Sequence, residues 1–161
     1  YWTGPEVCSR QLSACDLSAV HELFGDRLAI WDNYPVNDSR ARSPHLYVQP
    51  LQRTGSELAA FVGSHWCNAM NQAALSLPAL LSLPACYGLS VDVSDDLLVE
   101  AGMSREWLVE LDDLHQIGLS ELSEDRRRRL NELAMGRGVA QQELRGWLAG
   151  DYAFDPACLT D

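Results

Sequence analysis

Leu17, Val20, Leu23 and Phe24 recur at spacings of three and four, the period of a helix, and predict one over residues 16–24 that Gly25 ends. The next apolar run, Leu28-Ala29-Ile30-Trp31, stops abruptly at Asp32-Asn33-Tyr34-Pro35, which is the profile of a buried strand feeding a polar loop. The alternation then repeats. Residues 56–62 predict a short helix, 63–67 a short strand, and 71–86 a helix interrupted by Pro78 and Pro84. Helix and strand in alternation imply an α/β class with a parallel sheet. Two or three strands make a sheet with open edges, so this portion reads as part of a larger barrel.

Beyond residue 91 no further β-branched run occurs and the pattern turns helical. Ser94 is placed to cap a helix starting at Asp95, and Ser104 to cap one carrying Trp107, Leu108, Leu111 and Leu114 on a single face. Residues 123–134 and 139–148 predict two more helices, with Gly136-Arg137-Gly138 as the break between them. Apolar stripes on short helices need one another, so a helical bundle over 92–161 is the expected arrangement. Trp107 and Trp147, at helical spacing among leucines, are expected in its core.

Composition narrows the function. The chain has 161 residues, 47% of them hydrophobic, and a formal charge of −11. All twelve basic residues are Arg, the usage of a GC-rich bacterial genome. That balance repels a phosphate backbone and argues against nucleic acid. The run Arg126 to Arg129 lies among Glu121, Glu124, Asp125 and Glu132 and reads as a solvated helix surface with ion pairs; a protein-docking stripe is the alternative. The apolar stretch over 73–83 is too short to span a membrane, and no membrane partner is expected. Five cysteines without a CxxC pair suggest free thiols and a reducing, cytoplasmic compartment. The chain opens on Tyr1-Trp2-Thr3-Gly4-Pro5 with neither Met nor a signal segment, which suggests an internal cut.

The densest chemistry lies in Trp31-Asp32-Asn33-Tyr34-Pro35-Val36-Asn37-Asp38, directly after a predicted strand, the end at which β/α folds build their sites. An aromatic face suits the C–H surface of a sugar ring, and carboxylate or amide groups can hydrogen-bond two adjacent hydroxyls. Alternatively, Asp32 and Asn33 only organise a tight turn before Pro35. Asp95-Asp96 is better placed to oppose a helix dipole, and Asp112-Asp113 is expected to face solvent. His21, His45, His65 and His115 show no metal-ligand spacing, and neither a metal nor another cofactor is expected.

The strings Trp2-Thr3-Gly4-Pro5-Glu6-Val7, Ile30 through Asp38, and Asn68-Ala69-Met70-Asn71-Gln72 resemble, in order and spacing, successive motifs of the family 84 glycoside hydrolases, the β-N-acetylglucosaminidase or O-GlcNAcase family. The likeness covers roughly the first 90 residues. It implies the C-terminal portion of a (β/α)8 TIM-type barrel over 1–91, followed by an α-helical bundle over 92–161. It also implies a site in which Thr3 lies near the bound acetamido group, Trp31 walls the pocket, and Asn33 bonds the sugar or the acid that orients it. Asp38 and Asn68 would grip the 4- and 6-hydroxyls. Ala69 departs from the family's usual Pro beside Asn68.

The resemblance further implies substrate-assisted hydrolysis of terminal β-linked N-acetylglucosamine, from protein Ser/Thr or a glycan. The substrate's acetamide oxygen attacks the anomeric carbon while two adjacent aspartates orient it and shuttle the proton. That pair precedes the WTGP motif in the family and has no counterpart here, so this chain alone is expected to be inactive. The expected partners are an N-acetylglucosamine-containing substrate and either the missing N-terminal half or a second copy. A carbohydrate-binding or protein-interaction module, resting on the Arg run and the helical tryptophans, and a hyaluronidase-like member remain alternatives.

Overall fold

Ala29–Asp32 (β1) and Ser64–Cys67 (β2) pair as parallel strands in the computed structural model, which describes residues 1–53, 56–90 and 95–158. The register sets Ile30 beside His65, Trp31 beside Trp66 and Asp32 beside Cys67. On the other edge of β1, Trp2 forms a parallel bridge to Ile30: its N–H donates to Ala29 O at 2.8 Å and its carbonyl accepts from Trp31 N at 2.9 Å. β1 is therefore central, and the parallel arrangement predicted from alternating helix and strand is present.

The strands are covered on one face only. Ile30 is fully buried against Leu12, Leu17, Leu28, Leu58 and Ala79, while Trp31 and Trp66, in register on the opposite face, are 41% and 54% exposed. The expectation of a strand buried on both sides is thus corrected. Helices pack against the Ile30 face, while the other stays largely open, with Tyr1 edge-on to Trp31.

Helix α1 (Ala14–Phe24) starts two residues earlier than the apolar period suggested, because Ser13 Oγ accepts from Asp16 N at 3.1 Å and caps it. Gly25, at φ 56°, closes its end, with its N–H on His21 O. The inward face differs from the predicted one. Leu17 is buried, Val20 half-buried, and His21 Nδ1 bonds Phe61 O, whereas Leu23 and Phe24 point to solvent. Apolar residues spread around an eleven-residue helix define more than one stripe, and the sheet takes the stripe through Leu17.

The helix predicted over 71–86 is also corrected. Residues 71–76 are turns pinned by Ser76, whose Oγ accepts from Met70 N and donates to Gln72 O. Pro78 and Pro84 then sit in the first turns of helix α2 (Leu77–Leu81) and of the 3-10 helix Leu83–Tyr87. There the missing N–H costs nothing, so these prolines start helices rather than interrupt one.

The helical part runs through α3 (Asp95–Glu100), α4 (Arg105–Leu111), α5 (Glu124–Leu133) and α6 (Val139–Ala149). The predicted cap Ser94 lies outside the described residues. Ser104 caps α4 through its hydroxyl, as expected, and Ser123 does the same for α5, a cap not predicted from the sequence. Trp107, Leu111, Leu114, Leu130, Leu144 and Trp147 form a core that also takes in Leu46, Val48, Met70 and Leu75 from the strand-bearing part. The junction is hydrogen-bonded too: Glu143 on α6 accepts from Ala74 N and Leu75 N at 3.1 and 2.9 Å, and Leu46 N donates to Leu114 O.

The Arg run is only partly a solvated surface. Arg126, 15% exposed, pairs with Glu110 and Asp113 rather than with its flanking acids, and Arg127 donates to Leu148 O and Leu119 O. Asp113 is accordingly tied to Arg126 while its side chain stays half-exposed, and Asp112 is exposed as expected. Arg128, pairing with Asp125, and the exposed Arg129 match the expectation. The buried Trp107 and Trp147 are unavailable to a partner, which removes part of the support for a docking module.

These assignments predict that Leu17→Ala will cost about 2–5 kcal/mol in urea denaturation, the range for truncating a buried leucine. Leu23→Ala, on the same helix, will stay within about 0.5 kcal/mol.

Candidate functional site

The C-terminal ends of the two strands and the bridge at Trp2 lie side by side, and the polar loops leave from there. Trp31 Nε1 donates to Asn33 Oδ1 at 3.1 Å, and Asn68 Nδ2 donates to the same oxygen at 3.2 Å. Asn33 Nδ2 in turn donates to Val7 O at 2.7 Å. Three of the five residues singled out in the sequence therefore form one hydrogen-bonded cluster, with its indole edge-on to Tyr1 at a ring distance of 6.1 Å. Val36 N, donating to Asn68 O at 2.9 Å, ties the loop after β1 to the end of β2.

Thr3 follows the Trp2 bridge and is half-buried at the adjacent strand end. Asp38 is exposed and makes no hydrogen bond or ion pair among the described residues. Its direction is set by Asn37, which is 1% exposed: Asn37 Nδ2 donates to His45 O and Gln72 Oε1, and its Oδ1 accepts from Asn71 N. With Asn37 locked inward, the carboxylate after it is held out over the loop. The Tyr34–Pro35 peptide in this loop is cis.

Beneath the cluster lies a network that sequence reasoning missed. Asp32 is buried, and both its oxygens accept from Arg53, at 2.6 Å from Nε and 2.5 Å from Nη2. His65 Nε2 donates to Asp32 Oδ2 at 3.2 Å, and His65 Nδ1 lies 2.8 Å from the Tyr87 hydroxyl. Burial alone would raise the Asp32 pKa, but the hydrogen bonds from His65 and Arg53 outweigh it and hold the carboxyl below its usual 3.8. Burial pushes the Cys67 thiol and the Tyr87 phenol each up to about 12.

Donor atoms of Asp32, His65 and Cys67 lie within 4.8 Å of one another, the one such cluster of metal-binding types among the described residues. The chemistry does not suit a cation. A guanidinium occupies both carboxylate oxygens, which leaves Asp32 no free oxygen to offer and sets a fixed positive charge beside the cluster. The cluster is an ion-pair network that fixes the strand ends. Only the pairing of β1 with β2 reveals it, since Asp32 and His65 are 33 positions apart.

An open cavity of about 520 Å³ adjoins the cluster through Asn33, extending over Tyr34, Arg42, Tyr47 and Arg53 to His115. Thr3, Trp31, Asp38 and Asn68 are not among its lining residues.

The sequence profile of the beta-N-acetylglucosaminidase family matches residues 1–103, which include every residue of the cluster. The chain belongs to this family, the family 84 glycoside hydrolases. The fold is also similar to that of a mutant of the O-GlcNAc hydrolase of Thermobaculum terrenum, with a TM-score of 0.63 at 22% identity. The match covers 94% of this chain and 41% of that one, so the chain spans less than half the length of that solved relative.

In this family member the buried pair has a pH signature. The folded-state pKa of Asp32 is depressed, so its contribution to stability is present above the unfolded value near 3.8 and is lost as pH falls below it. Wild-type stability measured by denaturation should fall more steeply below pH 4 than that of Asp32→Asn. Arg53→Met, which strands the carboxylate, should cost about 3–5 kcal/mol at pH 7.

Proposed function

We propose that the chain is the C-terminal part of a β-N-acetylglucosaminidase, the closing strands of a (β/α)8 barrel followed by a helical bundle, and that it supplies sugar-binding residues to the enzyme's site. The observation that carries this reading is the Trp31–Asn33–Asn68 cluster at the C-terminal ends of adjacent parallel strands, the position at which barrels of this kind hold substrate. The uncovered face bearing Trp31 and Trp66 supports it, since side chains on that face would turn into the interior of a completed barrel. The architecture is proposed to change near residue 91, from barrel to helices, without a break in packing.

In this reading Trp31 walls the acetamido pocket with Thr3 beside it, and Asn33 holds the sugar or the orienting acid. Asp38 and Asn68 receive the 4- and 6-hydroxyls. An unpaired carboxylate such as Asp38 can accept from two neighbouring hydroxyls, and its exposure leaves both oxygens free to do so. Attack by the substrate's own acetamide oxygen needs an acid that protonates the leaving oxygen and a second that steadies the amide. Asp95-Asp96 and Asp112-Asp113 sit on α3 and on the 3-10 turn after α4 rather than on a strand or the loop that follows one, so both acids are assigned to the part of the enzyme outside this chain. Removal of terminal N-acetylglucosamine from protein Ser/Thr or from a glycan is the reaction proposed for the whole enzyme.

Titration of the chain with N-acetylglucosamine, followed by NMR, tests the site. Asp38→Ala and Asn68→Ala should each weaken binding by roughly tenfold, the worth of about 1.4 kcal/mol from hydrogen bonds to a sugar hydroxyl. Hydrolysis of an aryl N-acetylglucosaminide should require the rest of the barrel. Turnover by this chain alone, abolished in Asp38→Ala, would overturn the assignment of the acids.

A further inference from the structure

The chain carries 23 acidic residues against 12 basic ones, yet the cavity beside Asn33 is lined by Arg10, Arg42 and Arg53, and none of its described lining residues is Asp or Glu. Arg53 is neutralised by Asp32. The other two are not. Arg10 is exposed, and its guanidinium has no hydrogen bond or ion pair among the described residues.

Arg42 is half-buried and held in place: its Nε donates to Val36 O at 2.7 Å, and its guanidinium carbon lies 4.2 Å above the centre of the Tyr47 ring. Its Nη2 is buried without an acceptor. A buried cationic donor left unmatched is costly, and a guanidinium fixed by an aromatic face and one carbonyl has little conformational freedom left to lose when an oxyanion meets it in the cavity it lines. Gln116 and the His115 ring complete a polar wall at the far side.

We infer that this cavity is an oxyanion subsite, in which Arg42 and Arg10 bind a carboxylate or phosphate carried by the group attached to the sugar. Its connection to a sugar rests on the function proposed above, because Asn33 is the one residue that the cavity shares with the candidate sugar site. The binding of an oxyanion does not depend on that reading. The subsite would favour substrates bearing a negative group beyond the scissile bond over neutral ones. It would also act at short range only, since the chain's net charge of −11 repels anions from a distance.

The test is a set of calorimetric or NMR titrations of the full chain at low ionic strength with three separate probes: inorganic phosphate, acetate and N-acetylglucosamine. Saturable binding of phosphate or acetate is expected, roughly tenfold or more weaker in Arg42→Gln, and weakened also in Arg10→Gln. Binding of acetate alone points to a carboxylate as the natural group, binding of phosphate alone to a phosphate, and either supports the subsite. Thermal melting checks that Arg42→Gln folds; the exposed Arg10 provides the second variant if it does not. Absence of saturable binding by both anions, or equal affinity in wild type and the folded variants, overturns the inference. Oxyanion binding without any N-acetylglucosamine response would instead sink the sugar-site reading and leave the subsite standing.

Discussion

A carboxylate withdrawn from water at the end of a strand needs hydrogen-bond donors on both its oxygens, and the arrangement of the site follows from how Asp32 obtains them. Arg53 comes from 21 positions further along the chain and His65 from the neighbouring strand. Satisfying that one group therefore draws the segment before residue 54 back over the strand ends and aligns β1 with β2. It also fixes where Asn33 and Asn68 leave their strands, which lets their amides meet. Such a pair contributes little net stability against an apolar replacement, but it admits one geometry, and a site built from hydrogen bonds of about 3 Å needs one geometry.

The second constraint is the uneven cover of the sheet. Helices and 3-10 turns bury Ile30 and leave Trp31 and Trp66 open, so each strand carries one face that is satisfied within the chain and one that is not. A two-stranded sheet plus one bridge has little internal cohesion, and here it is held by the core behind it. The loops above are fastened separately, by Asn37 in its pocket of carbonyl and amide groups and by Val36 on Asn68.

The elements with a strong local signal were legible in the sequence: both strands, the parallel pairing, the serine-capped helix α4 and the existence of α5. Trp31, Asn33 and Asn68 were singled out only through the family resemblance of their motifs, and the hydrogen bonds that join them were not foreseen. What failed had no local signature. The buried stripe of α1 was ambiguous because Leu17 and Leu23 are equally apolar, and only the sheet chooses between them. Pro78 and Pro84 look alike as breakers and as first-turn residues until the turns before them are seen. Arg126 found its partners on another helix, and the Asp32–Arg53–His65 network exists only once two distant stretches become neighbours.

Glu143 shows what such a junction means for the history and the handling of the family. Its carboxylate terminates two N–H groups that belong to the strand-bearing part, and the leucines around it pack on Leu46, Val48 and Leu75. The helices are thus not an appendage that could be exchanged at residue 91. A chimera that takes them from a relative must bring the matching 43–48 and 70–76 segments with it, and recombination in nature would meet the same requirement. Those segments and the helices should consequently change together in descent, although a hundred positions of sequence separate some of them.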